Sequence, residues 1–197
     1  MPVGPGPETI GGPAPAHADA LGRLGVGPTI SAMPEPTPEP GDGVPRRQRI
    51  AAYALLERDG DSGPEVLLTR MSSRTRIEGR WTLPGGGIDH GEDPRDALRR
   101  EVHEEAGLEV EPGPLLDVHS SHFTGARADG LVEDYHGIHL IFAATVLPAS
   151  EGVEPHVVEV GGSTDRVAWI SREEAAALDL LSAARHALTL VRRETAR

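Results

Sequence analysis

A chain of 197 residues with 24 Gly and 18 Pro has room for one domain with a sizeable core and a segment outside it. It has no Cys, which excludes disulfides, thiolate metal sites and cysteine nucleophiles. Its formal charge of −12 argues against a general binder of nucleic-acid polymers, and no apolar run approaches the roughly 18 residues needed to span a membrane. A small anionic ligand is not excluded, because a bound divalent cation reverses the local field. The chain lacks the basic start and apolar stretch of a signal peptide, so the expected setting is cytoplasmic.

Residues 1–45 are rich in Pro, Gly and Ala and end in Met33-Pro34-Glu35-Pro36-Thr37-Pro38-Glu39-Pro40-Gly41. Repeated Pro removes backbone donors and fixes φ, and few large apolar side chains offset the entropy of ordering. A disordered tail with extended polyproline character is expected there. The fold should begin near Arg46. Arg49–Leu56 reads as a strand, residues 57–64 as a turn cluster and 65–70 as a second strand, together a hairpin. A basic stretch follows, with Arg70, Arg74, Arg76 and Arg80 against the single acid Glu78, and it reads as either a solvated loop or an anion-binding rim.

Residues 80–84 lead into Gly85-Gly86-Gly87, read as a glycine loop, and then a helix. Asp93 is a good N-cap, Pro94 fits the first helical position, Asp96 puts negative charge in the first turn, and Gly107 suits the residue that stops the helix. The predicted helix spans 94–106. Glu109-Val110 and residues 115–118 are expected as separate strands around Glu111-Pro112-Gly113-Pro114, and residues 124–134 as a loop. Residues 135–146 form the longest strand candidate, its apolar half suited to burial on both faces. A polar loop with Gly152, Gly161 and Gly162 leads to a strand at 166–170. Ser171 and Glu174 make a capping box, and Asp179 is a candidate helix restart, after which Leu181, Ala184 and Leu188 share a face. Several strands with one central and one terminal helix imply a mixed α/β sandwich.

On the central helix, Glu101, Glu104 and Glu105 fall on one face. Like charges at this spacing repel by roughly 0.2–0.5 kcal/mol per pair. Acids in a last turn also oppose the helix dipole by about 0.3–1 kcal/mol each when exposed. A hard divalent cation offsets both penalties, since clustered carboxylate oxygens are what Mg²⁺ and Mn²⁺ prefer. A solvated acidic face is the alternative, and the glycines just before the helix favour the metal. Arg100 and Glu92 suit the role of orienting those acids.

This stretch resembles the Nudix box: Gly, five residues, Glu, seven residues, Arg-Glu, an aliphatic, any residue, Glu-Glu, any residue, Gly, an aliphatic. Here those positions are Gly86, Glu92, Arg100, Glu101, Val102, Glu104, Glu105, Gly107 and Leu108. The resemblance implies a Nudix-type α/β/α sandwich with a mixed sheet over residues 46–194, preceded by the tail. It implies a hydrolase that cleaves a diphosphate linkage in a nucleoside diphosphate joined to another group, with Mg²⁺ or Mn²⁺ as cofactor. Glu101, Glu104 and Glu105, with the backbone carbonyl at Gly85, would hold the metal. Glu92 and Arg100 complete the catalytic group, and a box Glu or one of Glu151, Glu154 and Glu159 would accept the proton of an attacking water. Arg70, Arg74, Arg76 or Arg80 could grip phosphate. Trp81 could stack on a base, although packing is the better reading of it.

The substrate is less specified. Residues 121–126 lack the proline and tyrosine that mark ADP-ribose and dinucleoside polyphosphate hydrolases in the family, and the coenzyme A pattern is broken at Met71. A nucleoside triphosphate pyrophosphatase is one reading, and an ADP-ribose or nucleotide-sugar pyrophosphatase the alternative. A non-catalytic nucleotide regulator is disfavoured because every box carboxylate is present. The expected partner is a small nucleotide or other diphosphate, with no polymer and no membrane, and a homodimer is left open. His119, His122, His136 and His139 could form a second metal site, or serve as strand polar groups or substrate contacts.

Overall fold

The structure, a computed structural model, describes residues 43–61, 63–126, 130 and 132–194. The tail expected over residues 1–45 therefore lies almost wholly outside the described residues. At the boundary, the carbonyl of Pro45 accepts from Asp134 N at 2.9 Å, so the chain is already tied to the sheet one residue before β1 (Arg46–Gly60).

The turn formers do what their chemistry allows. β1 folds back onto β2 (Gly63–Met71) with Gly60 opposite Gly63, and Gly63 takes φ 117°, a backbone that L side chains rarely adopt. β3 (Trp81–Thr82) pairs with β2 and β4 (Gly85–Gly87) with β1, both antiparallel. The three glycines are thus a short strand rather than a loop. Gly85 has φ 139°, and a Cβ there would press on the Ala52 carbonyl and lie 2.7 Å from Tyr53 Cα. Only glycine lets this strand lie so close to β1.

After α1 (Pro94–Ala106) come β5 (Val110–Ala126), β6 (Val132–Val146), a short 3-10 turn at Pro148–Ser150, β7 (Thr164–Ser171), α2 (Arg172–Ala177) and α3 (Ser182–Glu194). β6 runs parallel to β1 and antiparallel to β5, and β7 pairs with β2, giving the order β3-β2-β1-β6-β5 with β4 beside β1 and β7 beside β2. The sheet is mixed, as expected. β5 corrects the two separate strands: residues 110–126 are one strand whose register shifts around Pro112, Leu115 and Asp117. Proline cannot donate to the ladder, so the strand bulges there instead of ending. Strand also extends to Ala126 and resumes at Val132, narrowing the expected loop.

Alternation along β1 and β6 sorts the core into two layers. Ala52, Ala54, Leu56 and Phe142 pack under α1 against Leu98, Val102 and Ala106. Leu55 and Ile141 point the other way, onto Trp81, Leu83, Ala175, Ala184 and Ala187, so β6 is buried on both faces where expected. Each Leu buried in this way contributes roughly 1.5–3 kcal/mol, and α1 is anchored by its apolar stripe despite its acidic face. Ser171 caps α2, accepting from Glu174 N at 3.2 Å, as its spacing predicts. The restart at Asp179 is corrected. α3 begins at Ser182, because Asp179 O and Trp81 O accept from Trp81 N (2.9 Å) and Leu181 N (2.8 Å), holding residues 179–181 extended beside β3. No helix among the described residues is long and apolar enough to cross a membrane.

Candidate active site

α1 begins and ends as its local chemistry dictates. The Asp93 side chain accepts from Arg95 N at 2.8 Å, and Gly107 closes the helix at φ 65° with its N–H on the His103 carbonyl. The helix C-terminus then receives the 151–163 loop: His156 N donates to Ala106 O, and Val158 N and Glu159 N donate to Glu104 O at 2.9 and 3.0 Å. Those carbonyls have no partner within the helix, and the loop satisfies them. Of the loop acids, Glu159 is the one whose backbone is bonded to the helix at Glu104.

Glu105 is the most constrained of the three acids. It is 4% exposed, with one carboxylate oxygen accepting from Gly85 N at 3.0 Å and the other from Thr164 Oγ1 at 2.6 Å and Ser163 Oγ at 3.4 Å. Burial pushes its pKa up to about 7 despite these donors, and the charge of Glu101 adds to the rise. Burial also raises Glu101, with Arg100 pulling the other way. The Glu101 carboxylate lies where a Cβ on Gly86 would be, so the box glycine is the floor of a carboxylate cradle.

Arg100 ties this group together. Its Nε and Nη2 grip Glu92 in bidentate fashion at 2.9 and 3.0 Å, Nη1 reaches Glu101 at 2.8 Å and Glu104 at 3.4 Å, and Nη2 also donates to Gly87 O at 3.1 Å. A guanidinium has five N–H donors, and all are spent. The bidentate partner is thus Glu92. Glu92 also accepts from Asp89 N at 2.9 Å, and the Arg100 bonds hold its pKa down at about 2.

The donor set is chemically suited to a hard divalent cation, being carboxylate oxygens beside a glycine backbone. Glu101 and Glu104 converge on one Arg100 nitrogen, and Glu101 raises the proton affinity of Glu105. Among the described residues, however, no three acid or imidazole groups already meet as a closed ligand cluster. Arg100 draws two of the carboxylates toward itself, and Gly85 and Thr164 draw the third away.

The residues expected on substrate lie elsewhere. Arg70 is paired with Asp165 at 2.9 and 3.3 Å, and Arg80 is paired with Asp179 at 3.2 Å while donating to Leu180 O. Trp81 is 9% exposed and belongs to the core under α3, with the Arg166 guanidinium 5.7 Å from its ring. Next to the box, a cavity of about 640 Å³ has Ile50, Ile88, Ile138 and Leu140 in its lining together with Arg49 and the acids Asp89 and Glu92. Arg49 crosses over Gly87, where a Cβ would lie 2.6 Å from Nε. Sequence reading passed over Arg49. Its place follows from the antiparallel pairing of Ala51 with Gly87, two residues further along β1, a long-range contact that leaves no local trace in the sequence.

The four histidines do not form one group. His119 faces His139 across the β5–β6 pair, with ring centroids 5.8 Å apart, and stacks on His186 of α3 at 4.9 Å. His122 faces His136 on the opposite side of the sheet, bonded to Asp134, while His136 bonds Gln48 and Ser120. Burial pushes His139 down to about 4 and also lowers His119.

The chain is similar to known proteins over most of the described domain. The family model for the NUDIX domain matches residues 46–191. The nucleoside triphosphatase NudI of Salmonella agona is 33% identical over 150 residues, covering 73% of this chain and 96% of that protein. Among solved structures, the MutT NUDIX hydrolase from Burkholderia pseudomallei superposes with a TM-score of 0.55 at 29% identity, covering 74% of this chain and 98% of that one. The MutT protein from Methanosarcina mazei gives 0.56 at 24% identity, covering 80% and 100%, a likeness of fold alone.

Proposed function

The chain belongs to the NUDIX domain family and is a Nudix hydrolase, an enzyme of phosphoanhydride cleavage; we propose that its substrate is a nucleoside triphosphate, split by water into nucleoside monophosphate and pyrophosphate. The reaction class is carried by one observation: a complete box laid across β4 and α1, with its three glutamates beside the glycine strand. The substrate class rests on the likeness to NudI over nearly all of that protein's length. The catalytic domain is assigned to residues 46–194, and a cytoplasmic setting suits a nucleotide substrate.

Glu101, Glu104, Glu105 and the Gly85 carbonyl would hold Mg²⁺ or Mn²⁺, which when bound neutralises phosphate oxygens and lowers the pKa of water. The chain's own residues supply orientation. Arg100, fixed by Glu92, sets the directions of Glu101 and Glu104, while Gly85 N and Thr164 fix Glu105. Glu159 is the best-supported loop base, because its N–H is bonded to the Glu104 carbonyl. No phosphate contact is assigned to Arg70 or Arg80, since each is already held by an aspartate.

The test is a panel of nucleoside triphosphates, nucleotide sugars, ADP-ribose and dinucleotides with Mg²⁺ or Mn²⁺, read by pyrophosphate or monophosphate release. Triphosphates should be turned over best. Glu104→Gln should lower the rate by about 100-fold or more with the fold retained by circular dichroism. Unchanged turnover in that variant would sink the site assignment, and preference for another class would replace the substrate.

A further inference from the structure

The groove beside the box raises the question of what meets the charge of a triphosphate there. Its floor is apolar, formed by Ile50, Ile88, Ile138 and Leu140, and suits a flat nucleoside. A polyphosphate running from that floor toward Glu101 must pass Gly87. The cations in range can be sorted by their donors. Arg100 has none left, all five N–H groups being bonded to Glu92, Glu101, Glu104 and the Gly87 carbonyl. Arg70 and Arg80 are each neutralised by an aspartate and do not line the groove. Arg49 differs from all three. It lines the groove, its guanidinium lies over Gly87, and that guanidinium makes no hydrogen bond or ion pair with any described residue.

We propose that Arg49 is the substrate-positioning residue of this site, its free guanidinium gripping phosphate oxygens of the nucleotide as they cross Gly87 between groove and carboxylates. Three features support the assignment. Guanidinium binds phosphate through paired, charge-assisted N–H bonds, and Arg49 has its whole fork available. Gly87 carries no side chain, so phosphate and guanidinium can approach over its backbone, where any Cβ would collide with Arg49. The position is on a strand rather than a loop: residue 49 pairs with Gly137 of β6, so the Cα from which the side chain extends is fixed.

This inference rests on the nucleotide-hydrolase reading, and the experiment separates the two. Wild type, Arg49→Lys and Arg49→Met are compared in two ways: steady-state hydrolysis of the best triphosphate, and equilibrium binding of its α,β-methylene analogue by calorimetry, which needs no turnover. For Arg49→Met, KM and the analogue's Kd should rise together by about 10- to 100-fold, with kcat within about threefold and the thermal midpoint unchanged. Arg49→Lys should fall between, because it keeps the charge but not the fork. A merely structural residue would move the midpoint rather than split KM from kcat. Analogue binding by Arg49→Met within threefold of wild type overturns the proposal while leaving the hydrolase reading intact. Wild-type binding without turnover, with weaker binding by the variant, would fail the hydrolase reading and keep Arg49. Failure of wild type to bind or turn over any nucleotide would overturn both.

Discussion

Replacing Glu105 by Gln should stabilise the metal-free protein at neutral and higher pH, although it removes a residue of the proposed metal site. Burial raises the Glu105 carboxyl from its ordinary 4.5 to about 7. The folded chain therefore keeps a proton that the unfolded chain has lost over that interval. Stability from this group is complete below pH 4.5 and is lost as pH rises through about 7. At a little over 1 kcal/mol per decade of pH, the loss amounts to about 3 kcal/mol. A neutral amide of the same shape stays uncharged at every pH. Its carbonyl can accept from Gly85 N or from Thr164, so it resembles the protonated acid and avoids the penalty.

The measurement is urea unfolding in EDTA at intervals from pH 4.5 to 8, converted to free energy by linear extrapolation. The difference between variant and wild type is the quantity to plot, because other groups titrate in the same range. His139, pushed down to about 4 by burial, has the opposite sign: its contribution is present above 6.5 and lost as pH falls toward 4. It cancels in the difference. The variant should match wild type near pH 4.5 and exceed it by about 3 kcal/mol at pH 8. A pH-independent difference would refute the reasoning, and so would a variant less stable than wild type at pH 8.

Two glycine substitutions test the geometry further. Gly86→Ala puts a Cβ into the Glu101 carboxylate, so turnover should fall by about 10- to 100-fold. The urea midpoint should scarcely move, because that carboxylate is the far end of a flexible side chain, and full activity would show that Glu101 need not occupy the cradle. Gly107→Ala forces an alanine to φ 65° with the His156 ring 2.6 Å from its Cβ. It should cost about 1–2 kcal/mol of stability in urea, and a stability equal to wild type would show that the helix can end another way.

How far the sequence could be read depended on the range of the forces involved. α1 was legible to the residue because its limits are local: Asp93 bonds a backbone N–H two residues away, and Gly107 closes on His103. The glycine strand was not legible, because Gly85–Gly87 is held by β1, more than 30 positions earlier. Glycine has little strand propensity of its own. The parallel pairing of β1 with β6 joins residues almost 90 positions apart and leaves no local trace. The histidines are a different case. His136 and His139 are three residues apart on one strand, so alternation puts them on opposite faces, and the single four-histidine metal site that the sequence left open is not formed. Among the site residues, Glu101, Glu104 and Glu105 could be placed by helical period. The ion pairs that occupy Arg70 and Arg80 could not, because Asp165 and Asp179 arrive from the far end of the chain.

The charge around the box also follows from counting donors rather than from net charge. By net charge alone, a chain at −12 is a poor host for a polyanion. At physiological salt, however, exposed charges more than about 8 Å away are largely screened, so the groups lining the groove decide the local field. Arg100 adds little positive field, since Glu92, Glu101 and Glu104 surround it. Its contribution is geometric, joining the 88–92 turn, the glycine strand and the helix into one rigid unit through bonds to Glu92, Gly87 and the helix acids. Arg49 has the reverse character: its guanidinium makes no hydrogen bond or ion pair with any described residue, although its backbone belongs to the β1–β6 pair. Two arginines that meet at one glycine thus divide into one that shapes the site and one that faces its ligand, a distinction set by how many of their N–H groups the protein has already satisfied.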